Sequence, residues 1–192
     1  VPITGATPKQ CFDVFRGHLA RLLADTVPTK CPVLVESNGP TAQLGFRRGN
    51  APVAVPVETK HGRLFFWVAQ LVRAEKGDGG YRLSTLKYWY KLQASSDPKA
   101  QALIRWEYDR GLRGGNRPCR HHVQQQTEIR IPDTSAALDL DKLHLPTGWV
   151  KLEEVLRFLI YDLGMKPPCG KRWPTVLEQS ERVFREQFST PH

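Results

Sequence analysis

The hydrophobic pattern changes period twice along the chain, and each change marks a boundary between element types. Over residues 7–26, "TPKQCFDVFRGHLARLLADT", Phe12, Phe15, Leu19, Leu22 and Leu23 recur at helical spacing, which predicts an amphipathic helix with one buried stripe. Thr7 stands at the N-cap position, Pro8 fits the first turn and Gln10 has capping-box spacing. From Cys31 the period falls to two. "PVLVES", "QLGFRR" and "PVAVPVE", separated by "NGP" and "GNAP", predict short strands joined by turns. Pro52 and Pro56 predict an edge or irregular strand for the third of these, because proline cannot donate to a strand ladder.

Two longer strands are predicted in "HGRLFFWVAQLVRAE" from His61 and "YRLSTLKYWYKLQ" from Tyr81, joined by the hairpin signal "KGDGG". "ALIRWEYDR" and "CRHHVQQQTEIRI" follow, linked by the glycine-rich basic turn "GLRGGNRP", and extend an antiparallel meander. Residues 132–146 hold neither period and read as irregular. "TGWVKLEEVLRFLIYDLG" returns to helical spacing, starting near Thr147 and ending at Gly164, with Leu152, Val155, Leu156, Leu159 and Ile160 on one face. "KPPCGKRW" breaks the chain, and a last helix begins near Pro174. A helix, a run of antiparallel strands and two helices make the expected fold class α+β. The expectation is one domain over all 192 residues, with a helical portion from about residue 147.

Composition narrows the function classes. Hydrophobic residues make up 40% and charged residues 24%, enough to bury a core and unlike a disordered chain. No apolar run is long enough to span a bilayer and no secretory signal pattern stands at the start, so a soluble cytoplasmic protein without membrane association is expected. Cys11, Cys31, Cys119 and Cys169 lie far apart without a C-x-x-C pair, which predicts free thiols rather than a disulfide framework or zinc ribbon. Neither GxGxxG nor GxxxxGK[ST] occurs, and no cofactor is expected. The formal charge of +9 and pI near 9.6 draw polyanions. Nucleic acid, RNA by preference, is the first partner class and an acidic protein the second.

Strand parity locates the chemistry, since side chains two apart share a face. Ala102, Ile104, Trp106 and Tyr108 form one set; Leu103, Arg105, Glu107 and Asp109 form the other. In the preceding strand Leu86, Tyr88, Tyr90 and Leu92 oppose Lys87, Trp89, Lys91 and Gln93. In the following one Cys119, His121, Val123 and Ile129 oppose Arg120, His122, Gln124 and Gln126. With regular register, one wet face carries Lys87, Lys91, Arg105, Glu107, Asp109, Arg120, His122 and Gln124. A bulge near Cys119 would exchange the two histidines, so both remain candidates.

Such a face has the parts for metal-independent RNA cleavage: a carboxylate or imidazole to accept the 2′-hydroxyl proton, an acid for the leaving oxygen, and cations for the phosphorane. Glu107, Asp109, Arg105, His121 and His122 are the candidate catalytic residues. Lys87, Lys91, Arg120, Arg113 in the basic turn and the stacking indole of Trp89 are the candidates for holding nucleic acid. The same alternation of Arg, Glu and Lys also describes an ordinary solvated sheet with cross-strand ion pairs. Cys119, His121, His122 and Cys169 have zinc-donor atoms without zinc-site spacing. Glu107-x-Asp109 can hold Mg²⁺ but is a common pattern, and Cys119 near His121 invites a thiol nucleophile with no local signature to support it. His18 sits among the apolar residues of the first helix and reads as packed; His144 approaches the sheet only if its loop folds back.

"YWYKLQ" from Tyr88, "LIRWEYD" from Leu103 and "CRHHVQ" from Cys119 together resemble the TumE-like family of prokaryotic toxins. Its pattern is a Y-x-Y-x-x-Q strand, an LI-x-R-Y-D-type strand and paired histidines. The resemblance covers about residues 81–126. It departs from the family in having one histidine pair, the basic turn standing where a first cluster is usual. It implies an RNA-cleaving or translation-blocking toxin with an antitoxin partner, and carries over Asp109, His121 and His122. The alternatives are a nucleic-acid-binding module without catalysis and a scaffold subunit of a defence complex, with the helices of residues 147–188 as its interface.

Overall fold

The computed structural model describes residues 3–97, 99–111, 120–130, 137–139, 143 and 145–188. Helix α1 (Pro8–Thr26) begins where capping chemistry predicts: Gln10 N donates to Thr7 Oγ1 at 3.2 Å, and Ala6 N donates to Gln10 Oε1 at 2.8 Å. A short β1 (Thr4–Gly5) precedes it. After it come β2 (Val33–Asn38), β3 (Thr41–Arg48), β4 (Ala51–Pro52), β5 (Val55–Thr59), β6 (Gly62–Gly77), β7 (Gly80–Gln93), β8 (Ala102–Asp109) and β9 (His121–Gln125). Strands β10 (Glu128–Arg130), β11 (Ala137–Asp139) and β12 (Leu145–Pro146) lead to α2 (Leu152–Arg157) and α3 (Trp173–Phe188). The architecture is α+β, with an antiparallel sheet in the order β12-β9-β8-β7-β6-β3-β2, to which β1, β4 and β5 add short pairings. No helix among the described residues is long and apolar enough to cross a membrane.

The helices pack on one face of this sheet. Phe12, Phe15, Leu19, Leu22 and Leu23 of α1 and Leu152, Val155, Leu156 and Leu159 of the α2 region share a buried core with Leu44, Phe66, Val68, Tyr88, Tyr90 and Tyr108 of the strands. Burying a side chain of this size contributes about 1.5–3 kcal/mol, so the parity that points these residues inward is strongly enforced. The opposite parity is left for the polar set.

Three features differ from the sequence expectation. First, β6 and β7 shift register between Leu71 and Val72, so Leu71 pairs with Lys87 but Val72 with Thr85. The extra residue, Leu86, lets Leu83 turn into the core, where it is buried. A second shift makes Leu103 the extra residue between Ile104 and Ala102. Second, "CRHHVQQQTEIRI" is not one strand. β9 ends at Gln125, and β10 pairs instead with β11 in a separate two-stranded sheet. β11 lies within the stretch that read as irregular. Third, the helix expected near Thr147 starts at Leu152. Thr147 N donates to the His121 carbonyl at 3.1 Å and Val150 N to Tyr88 Oη at 3.1 Å. These bonds keep residues 147–150 along the sheet, and Lys151 caps the helix with Glu154 accepting from its N–H. After Arg157 the helix widens into a π turn (Phe158–Asp162) and ends at Gly164, whose φ of +75° favours glycine.

Candidate functional site

Register settles which side chains meet. Glu107 is paired with Trp89 on one side and His122 on the other; Arg105 lies between Lys91 and Gln124, and Lys87 faces Asp109. These residues therefore project from one face, the one opposite the helices. His122 Nε2 lies 3.2 Å from Glu107 Oε2 and Lys87 Nζ lies 2.7 Å from Asp109 Oδ2. Asp109 also orders the turn after β8, its Oδ1 accepting from Gly111 N at 2.8 Å.

This face is not uniformly wet. His122 and Gln124 are 5% and 3% exposed, whereas the Glu107 side chain keeps 19% and Lys87 37% of their surface. Glu107 is thus the member of the pair that reaches solvent, with the imidazole behind it. Arg105 is half-buried, and its Nε is buried without a hydrogen-bond partner among the described residues. Arg120 is exposed at the start of β9, where its carbonyl accepts from Asp109 N at 3.1 Å. Arg113 and Cys119 lie outside the described residues, as does His144.

His121 belongs to the other face. Its ring stacks on Tyr108 at 4.4 Å and 14°, with Trp149 5.3 Å away, and Tyr88 Oη is 3.5 Å from Nδ1. Burial, helped by Arg120 and His122, lowers its pKa. Burial also pushes the Tyr88 phenol up to about 12, so Tyr88 keeps its proton while accepting from Val150. His121 therefore sits in an aromatic wall beneath residues 147–150 and is not brought together with Glu107. Of the three positions carried over from the toxin resemblance, Asp109 and His122 share a face and His121 does not.

Neither a family model, a curated protein nor a solved structure matches this chain. Among the described residues no three His, Cys, Asp or Glu side chains gather as metal ligands. The two adjacent histidines point to opposite faces, and Cys169 lies by α1, its N–H donating to the Asp25 carbonyl at 3.0 Å. A cleft of about 450 Å³ lies at the other end of the sheet, lined by residues including Lys30, Arg47, Arg48 and Pro56. It contains none of the candidate residues.

A buried polar chain joins the three helices: His18 Nε2 lies 3.0 Å from Ser180 Oγ, which donates to Glu153 Oε1 at 2.5 Å. Its members superficially match a nucleophile, a base and an acid. The order is wrong for that chemistry, because the carboxylate holds the hydroxyl rather than orienting the imidazole. Ser180 and Glu153 are 4% and 1% exposed, which also seals them from a substrate. Burial lowers the His18 pKa to about 4 and raises that of Glu153. In the sequence, only the polar Ser180 among the apolar positions of the last helix hinted at this chain.

Proposed function

We propose that the protein acts on RNA at the face of β7, β8 and β9 as a metal-independent ribonuclease. The observation that carries this is the 3.2 Å contact of His122 Nε2 with Glu107 Oε2, on the same face as Lys87, Lys91 and Arg105. Glu107, the more exposed partner, accepts the 2′-hydroxyl proton, and the 2′ oxygen attacks the adjacent phosphorus. His122 orients the carboxylate and shares the proton it gains. Arg105 and Lys87 meet the phosphorane charge, Asp109 holding Lys87 in place, and water protonates the departing 5′ oxygen. The short motifs shared with the TumE-like toxins support the same substrate class. An acidic inhibitor protein and a cytoplasmic RNA pool are the partner and setting this function implies.

The test is incubation of labelled RNA and DNA with the purified protein, with and without EDTA, beside Glu107→Gln and His122→Ala. RNA cleavage should survive EDTA and fall at least about 100-fold in Glu107→Gln, while DNA, which lacks the 2′-hydroxyl, stays intact. Cleavage of both polymers, or full activity in Glu107→Gln, would refute the mechanism. The burial of His122 to 5% favours a second function, RNA binding without catalysis. Its signature is a steep loss of affinity with salt and no cleavage under any condition.

A further inference from the structure

The acid–base pair does not use the part of this face nearest β6. Trp67 on β6 is in register with Lys91, and Trp89 on β7 is flanked by Ala69 and Glu107. Both indoles are half-buried and stand on the face of Glu107. The floor between them is low: Ala69 is 3% exposed, and Gly45 lies beyond it on β3. A Cβ at Gly45 would come within 2.2 Å of the Val68 carbonyl oxygen, so that floor cannot be raised there without moving a strand.

Charge is distributed unevenly over the rows of this face. Glu107 shares a row with Trp89, and Asp109 shares one with Lys87. The row through Trp67 holds Lys91, Arg105 and Gln124 and, among the described residues, no carboxylate. Lys91 Nζ lies 5.8 Å from the centroid of the Trp67 ring, and Arg105 Nε has no partner among the described residues. The row therefore offers one aromatic surface and two cations to an anion.

We propose that Trp67 and Trp89 form a stacking track for two consecutive bases of single-stranded RNA, with Lys91 and Arg105 holding the phosphate between them. This rests on the RNA-acting function assigned above and specifies the form of RNA taken. The two tryptophans are diagonal neighbours of an antiparallel pair, about 7–8 Å apart. That is roughly twice the ~3.4 Å rise of bases stacked in a duplex strand. Bases seated on both indoles are splayed apart, as a single strand permits and a duplex does not. Stacking accepts any base, so the track selects strandedness rather than sequence. Trp89 stands beside Glu107, and the base it holds adjoins the phosphate at the acid–base pair.

Affinity is measured by fluorescence anisotropy for a labelled eight-nucleotide RNA, single-stranded and annealed to its complement, in a Glu107→Gln background that prevents cleavage. Trp67→Ala and Trp89→Ala should each weaken single-strand binding about 5- to 150-fold, and the duplex should bind less tightly than the single strand. Trp67→Phe, which keeps a ring, should retain most of the affinity. Trp67→Leu, which keeps apolar bulk without one, should not, and this pair controls for packing damage in the alanine variant. Unchanged affinity in the Trp67 and Trp89 variants, or equal binding of duplex, would overturn the track while leaving any Glu107-dependent cleavage standing. If the background protein binds neither RNA, the RNA-acting function falls and the track with it.

Discussion

The buried chain His18–Ser180–Glu153 makes a prediction whose sign and size come from its geometry. His18 carries its proton at about 6.5 when unfolded and at about 4 when folded, chiefly because burial disfavours the charged ring, with Arg21 adding repulsion. Between those pH values the unfolded chain binds more protons than the folded one, so stability rises with pH across the interval. The contribution is full above 6.5 and is lost progressively as pH falls toward 4. At about 1.4 kcal/mol per pH unit the difference is roughly 3 kcal/mol, and screening of the part of the ring that solvent reaches lowers it to about 2 kcal/mol. Glu153 acts in the opposite sense: its raised pKa gives stability that is present at low pH and lost as pH rises through its folded value. The perturbation that isolates the imidazole is His18→Gln, which cannot titrate. The assay is urea unfolding of both proteins at half-unit steps from pH 4 to 7. Relative to His18→Gln, the native protein should lose about 2 kcal/mol on going from pH 7 to pH 4. Parallel stability curves, or a relative gain on acidification, would refute the account of His18 as a neutral, buried partner of Ser180.

Further outcomes follow from the packing. Gly45→Ala should destabilise by at least about 3 kcal/mol, measured by urea unfolding, because its Cβ would meet the Val68 carbonyl at 2.2 Å and the strand pair would have to part. Tyr88→Phe leaves Val150 N without the acceptor it has at 3.1 Å. It should cost about 1–2 kcal/mol and speed amide exchange at Val150.

The type and polarity of the main elements follow from local chemistry, and so the sequence by itself determined them. The cap at Thr7, the glycines after β6 and the two-residue alternations of residues 87–93 and 104–109 act over a few residues. Their consequences, including Glu107 and His122 on one face and His121 on the other, hold as long as register is regular, as it is between β8 and β9. Tertiary structure decided what depends on residues far apart. The bulge at Leu86 exists because Val72 and Leu83 both gain from the core, and strict alternation along one strand cannot express that. Residues 147–150 read as helix but lie along the sheet because Tyr88 and His121 supply acceptors 62 and 26 positions away in the chain. The depth of His122, the Ser180 link between three helices and the approach of Lys91 to Trp67 likewise arise from long-range pairing. A strand's own pattern tells which side chains share a face; only the neighbouring strands tell which of them touch and how much water reaches them.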